Sequence, residues 1–213
     1  MLKCLIFDLD ETIYPRSSGL MQAISERISA YMIERLGMDP TIVPRLRRLY
    51  WDQYGTTSRG LQILHNLDVD DYMHYVHDVR LGDYIGPDLA LDVALAALPQ
   101  RKVIFTNATA EHACAVLGVV GVAHHFEGIY DAFFLENEGK PALGAYRRLL
   151  SALGVSGDDC LMVEDSARNL RPAQSLRMVT VLVDPPPDAD VDGVDYVIDR
   201  IADITQVVKA MEL

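Results

Sequence analysis

At 213 residues, half of them hydrophobic and 23% charged, the chain has an ordinary globular composition and enough length for one sizeable core plus a small satellite domain. Its net charge of −12 excludes the broad basic surface that a nucleic acid polymer or an anionic membrane face requires, although a local cation can still hold a small anionic substrate. No apolar run approaches the ~18 residues of a membrane span, and the first is cut short by Asp8, so a cytoplasmic protein without a signal peptide is expected.

Residues 2–7 form a short apolar run without alternation, which predicts a strand buried on both faces. It runs directly into Asp8-Leu9-Asp10-Glu11-Thr12. On an extended segment Asp8 and Asp10 point to the same side, and two close carboxylates repel each other unless a cation lies between them. A hard, oxygen-seeking ion such as Mg²⁺ meets that need. From about Gly19 to Asp83 no buried strand is predicted. Met21, Ile24, Ile28, Tyr31 and Met32 recur at helical spacing, and Val43, Leu46, Leu49 and Tyr50 repeat the pattern. Leu61, Leu64, Tyr72 and Val76 continue it, with breaks at Gly37, Pro40, Gly55 and Gly60. These stretches predict a small four-helix insertion over residues 17–83, within a core made of residues 1–16 and 84–213. Gly and Pro in both joining segments suit the hinges of a moving lid. Arg45, Arg47 and Arg48 read as a solvated helix face.

Further strands are predicted at 102–105, 160–163, 179–183 and 194–198. Helices are predicted at 87–98, 109–117, 142–153, 166–176 and 201–211, with an irregularity where Pro172 enters the fourth. Alternating strand and helix makes the core a doubly wound α/β domain with a parallel sheet. Ligands bind such sheets at the carboxyl ends of the strands, where Asp8, Thr106 and Asp165 fall. Cys4, Cys114 and Cys160 are odd in number and scattered, so buried reduced thiols are expected.

Three segments carry chemistry alongside Asp8-Leu9-Asp10. Thr106-Asn107 closes the strand at 102–105, Glu138-Gly139-Lys140-Pro141 precedes a helix, and Glu164-Asp165-Ser166 closes the strand at 160–163. Each has a local explanation by itself: an N-cap, a turn with a helix start, and a capping motif. Taken together and in this order, they resemble the four motifs of the haloacid dehalogenase (HAD) superfamily, with a helical cap inserted after the first. The resemblance implies a Rossmann-like HAD core. It also implies Mg²⁺-dependent hydrolysis of a small phosphomonoester through an aspartyl-phosphate. Asp8 would be the nucleophile and Asp10 the general acid and base. Thr106, Asn107 and Lys140 would form the electrostatic cradle of the phosphoryl group. The metal would be held by Asp8, the main-chain carbonyl of Asp10, and Asp165, with Glu164 bound directly or through water. Asp10 speaks against dehalogenation, because halide leaves without a proton.

Residues 7–15, 50–61 and 83–89 resemble, more finely, the pyrimidine 5′-nucleotidase branch. That implies a nucleoside 5′-monophosphate as substrate, with Tyr54 and Arg59 as base contacts. Tyr50 and Trp51 fit either that wall or the packing of the helices. The alternatives are a sugar phosphate phosphatase, a β-phosphoglucomutase-like phosphomutase and, outside enzymes, a receiver-type phospho-accepting domain. The expected partner is a small phosphorylated metabolite, with no nucleic acid polymer and no membrane, for a monomer or homodimer. The six His residues show no ligand spacing and receive no role.

Overall fold

The computed structural model describes residues 2–135 and 138–211. The chain divides into two compact units, one built from the residues up to Ser18 and from Ile85 onward, the other from Gly19–Tyr84.

The first unit is built on a six-stranded sheet of order β3-β2-β1-β4-β5-β6, every pairing parallel. Its strands are β1 (Cys4–Phe7), β2 (Arg101–Phe105), β3 (Gly128–Tyr130), β4 (Cys160–Glu164), β5 (Val179–Val183) and β6 (Tyr196–Ile198). β1 lies between β2 and β4 and is buried at every residue, which is why its sequence lacks alternation. Cys4, Ile6, Val103, Phe105, Cys160 and Met162 share a core with Tyr146 and Leu149 of α7 (Leu143–Leu153) and Leu170 of α8 (Ala167–Ser175). Phe105 and Tyr146 meet edge to face at 5.1 Å. Leu5, Phe7, Ile104 and Leu161, at the intervening positions, are also fully buried, so both faces of the central strands are covered. Each such side chain contributes about 1.5–3 kcal/mol through burial. The remaining helices of this unit are α5 (Leu89–Ala96), α6 (Ala110–Val120) and α9 (Ile204–Met211).

The second unit comprises α1 (Leu20–Glu34), α2 (Val43–Tyr54), α3 (Thr57–His65) and α4 (Val69–His77). Thr56 caps α3 by accepting from the N–H of Arg59, and Asp68 caps α4 by accepting from that of Asp71. Tyr31 stacks edge to face on Tyr72 at 5.1 Å and on Tyr75 at 5.3 Å, joining α1 to α4. A Cβ on Gly60 would come within 2.6 Å of the Tyr50 side chain, so glycine lets α3 approach α2 closely.

Four features differ from the sequence expectations. β3 was not predicted: its three half-buried residues follow the exposed Glu127 and carry too little apolar signal. α8 runs on as one helix through Pro172 to Ser175, although a proline there forgoes the bond to the carbonyl of Arg168 and crowds it. Arg47 is not on a solvated face; it donates to Ser25 O, Ser25 Oγ and Ser29 Oγ, tying α2 to α1. Cys114 is exposed, whereas Cys4 and Cys160 are buried, and all three are free thiols. Among the described residues, no helix is long and apolar enough to cross a membrane.

Candidate active site

Parallel strands present their carboxyl ends to one edge of the sheet, and β1, β2 and β4 end there side by side. Asp8 follows β1, and its N–H donates to Val163 O, which continues the ladder into the site. Glu164 is the last residue of β4, with Asp165 next to it. Lys140 reaches in from the loop before α7. Its ammonium donates to Asp8 Oδ1 at 2.5 Å and to Glu164 Oε2 at 2.7 Å, with the lysine side chain only 1% exposed. Thr12 Oγ1 donates to Asp8 Oδ2 at 3.4 Å, so each oxygen of Asp8 has a donor. Glu164 Oε1 accepts from Ser166 N and Asn169 Nδ2.

The Lys140 ammonium, with the Arg16 guanidinium beside Asp165, does not balance this much buried negative charge. Burial, reinforced by Glu164, pushes the Asp8 carboxyl up to about 7. Burial raises Glu164 to about 7 as well and, together with Asp8, raises Asp165 to about 6. Burial opposes the charge on Lys140, but Asp8 and Glu164 outweigh it and hold the ammonium above its ordinary range. Asp8, Glu164 and Asp165 each offer an oxygen within 4.8 Å of the others. Three crowded carboxylates that resist ionisation, all with hard oxygen donors, fit a divalent cation of the Mg²⁺ kind.

Thr106 and Asn107 directly follow β2. Thr106 is buried, and its Oγ1 accepts from Ala108 N at 3.0 Å. A hydroxyl accepting one bond keeps its own proton to donate. The Asn107 amide is committed to the loop carrying Lys140: Nδ2 donates to Lys140 O at 3.0 Å, and Oδ1 accepts from Lys140 N at 2.8 Å. What Asn107 can offer a substrate is therefore its main-chain N–H. A Cβ on Gly139 would come within 2.6 Å of Asn107 Oδ1, so this clamp requires glycine there.

The chain turns sharply after Asp8. Thr12 and Ile13 both donate to Leu9 O, and Glu11 takes the left-handed conformation with φ 60. Arg16 pairs with Glu11 and, at 2.6 Å, with Asp165 Oδ2, linking the turn to the end of β4. Asp10 meets a different set of side chains. Its Oδ1 accepts from Tyr14 Oη at 2.7 Å and lies 3.1 Å from His112 Nε2. Burial, followed by the charge of Asp10, pushes the Tyr14 hydroxyl far above its ordinary range, so it remains a donor.

Asp8, Asp10, Thr106, Asn107, Lys140, Glu164 and Asp165 thus all belong to the first unit. Tyr54 and Arg59 belong to the second, where Tyr54 ends α2 and Arg59, in α3, donates to Gln62 Oε1. Sequence reasoning assigned no role to Arg16 or His112, and Tyr14 entered only as part of a subfamily pattern.

The sequence profile described as haloacid dehalogenase-like hydrolase matches residues 2–176. The chain belongs to that hydrolase family. Membership sets the receiver-type reading aside. Within curated proteins, this hydrolase is 29% identical over 198 residues to phosphate metabolism protein 8 of Saccharomyces cerevisiae; the match takes in 84% of this chain but only 61% of that relative's length. It is 28% identical over 198 residues to a phosphoglycolate phosphatase of Rhodospirillum rubrum, covering 86% of this chain and 80% of the relative. A solved HAD phosphatase from Thermococcus onnurineus shares the fold with a TM-score of 0.68 at 18% identity, over 97% of this chain and 98% of the other.

Proposed function

We propose that this hydrolase is a Mg²⁺-dependent phosphatase that cleaves a small phosphomonoester through an aspartyl-phosphate on Asp8. The observation that carries the reading is the buried Lys140 ammonium held between Asp8 and Glu164, beside the third carboxylate of Asp165.

In this reading Asp8 attacks phosphorus in line with the leaving oxygen and forms the acyl phosphate. Lys140, the Thr106 hydroxyl and the Asn107 N–H face the phosphoryl oxygens and offset their charge as the transition state forms. Asp10 gives a proton to the leaving oxygen, then takes one from the water that opens the acyl phosphate. Asp8, Asp165 and the main-chain carbonyl of Asp10 would hold Mg²⁺, which supplies neutralising charge to the phosphoryl group when bound. Glu164 accepts three hydrogen bonds from the protein against two at Asp8, which favours a water-linked place for it.

The finer reading is a pyrimidine nucleoside 5′-monophosphate, with Tyr54 and Arg59 recognising the base; the segments at residues 7–15, 50–61 and 83–89 support it. The name of the R. rubrum relative favours a second reading, a small phosphorylated acid or sugar. The deciding experiment is phosphate release from UMP, CMP, AMP, phosphoglycolate, glucose 6-phosphate and p-nitrophenyl phosphate, with Mg²⁺ and with EDTA. Mg²⁺-dependent release that Asp8→Asn abolishes is expected. Selective cleavage of UMP and CMP that Tyr54→Ala and Arg59→Ala weaken through KM supports the nucleotide reading, and preference for phosphoglycolate or the sugar ester supports the second. No release from any ester overturns the phosphatase, and conversion of glucose 1-phosphate to glucose 6-phosphate would mark a mutase.

A further inference from the structure

Asp10 is held by two side chains from different elements that meet on one of its oxygens. Tyr14, four residues further along the turn, donates to Oδ1 at 2.7 Å, and His112 of α6 brings Nε2 to 3.1 Å from the same atom. With any proton of Asp10 on Oδ2, Oδ1 only accepts, so the Nε2 facing it carries the proton. Both partners are buried, Tyr14 at 3% and His112 at 4% exposure, while the Asp10 side chain is 19% exposed. The holders are therefore fixed in the core and the held group reaches outward. His112 is fixed in turn: its N–H donates to the capping Thr109 Oγ1, and Asp131 Oδ2 accepts from Ala110 N at the same helix end.

From this arrangement we infer that Tyr14 and His112 are positioning residues for proton transfer, pinning Oδ1 of Asp10 so that Oδ2 carries the proton exchanged with the substrate. The inference rests on the phosphatase reading. As the P–O bond to the leaving group breaks, the Oδ2 proton passes to the departing oxygen, which leaves as an alcohol. Asp10 becomes a carboxylate whose charge is met at Oδ1 by two donors already in place. When water attacks the aspartyl-phosphate, Oδ2 takes the water's proton, phosphate leaves, and both Asp8 and Asp10 return to their starting forms. Two donors from two rigid elements fix the carboxyl plane more tightly than one could, and proton transfer depends steeply on that geometry.

A leaving group that needs no proton separates positioning from mere structure. Rapid-quench measurement of the first turnover, with enzyme in excess, compares p-nitrophenyl phosphate with the alkyl phosphate that wild type cleaves fastest. Tyr14→Phe and His112→Leu are each expected to slow alkyl ester cleavage about tenfold, the size of a lost hydrogen bond to a charged group. Release of p-nitrophenolate in that turnover should stay within about twofold of wild type, because its oxygen departs as a stable anion. KM should hold in both variants, and His112→Gln, which keeps an N–H donor, should recover most of the alkyl rate. Equal losses on both esters would reduce Tyr14 and His112 to structural supports and overturn the inference, as would no loss on either. A wild-type enzyme that cleaves neither ester fails at the level of the phosphatase reading, and this inference falls with it.

Discussion

Among the described residues, Lys140 is the single ammonium that touches both Asp8 and Glu164, and removing it leaves two buried carboxylates facing each other. Lys140→Met is therefore expected to act twice. Loss of a positioned cation from the phosphoryl group should lower kcat by about a hundredfold or more. Breaking a buried ion pair on one side should also cost about 3–5 kcal/mol of stability, readable as a fall in the urea midpoint. A variant as stable as wild type would mean that the two carboxylates protonate or rearrange at little cost. That Asp8, Lys140, Glu164 and Asp165 belong together was legible in the sequence because their segments, each ordinary alone, resemble one family's motifs when taken in order. His112 was not legible, since it meets Asp10 across 102 residues of sequence and no spacing rule connects them. Arg16 was hidden for a related reason: it sits in what reads as a polar linker, and its pairing with Asp165 appears only once β1 and β4 lie side by side.

At the scale of elements, the site depends on one loop being fastened to another. Asn107 at the end of β2 grips the main chain of Lys140 with both ends of its amide, and Gly139 leaves room for it. Gly139→Ala puts a methyl group where Asn107 Oδ1 sits. It should lower kcat by about tenfold or more through the displaced ammonium, since misplacements near 1 Å are costly, while overpacking takes about 1–3 kcal/mol of stability. Phosphate-release kinetics beside a thermal melt would show both effects; unchanged kcat would mean that the clamp does not hold the lysine in register. The central strands were readable because burial on both faces leaves unbroken apolar runs, whereas the three-residue edge strand β3 leaves almost none. The helices of the second unit were readable by period, but period does not say which way a long side chain turns. Arg47 lies back on Ser25 and Ser29 where its charge had suggested solvent.

For the molecule as a whole, the crowded carboxylates of the site make stability depend on what is bound there. A divalent ion that binds only the folded chain should stabilise it by about 2.7 kcal/mol at a hundred times its Kd. A rise in Tm with MgCl₂ that EDTA reverses and Asp165→Asn abolishes is the expected result; a melt indifferent to Mg²⁺ would argue against a metal among these acids. The order of strands has a different consequence, one that concerns time. β1 precedes both of its neighbours in the chain, which come from residues 101–105 and 160–164, and the lysine beside Asp8 is residue 140. A ribosome must therefore pass Asp165 before this aspartate has all the partners it meets in the fold. Contacts of such long sequence separation also fold slowly. The growing chain thus completes the surroundings of Asp8 only when Lys140, Glu164 and Asp165 have all been made.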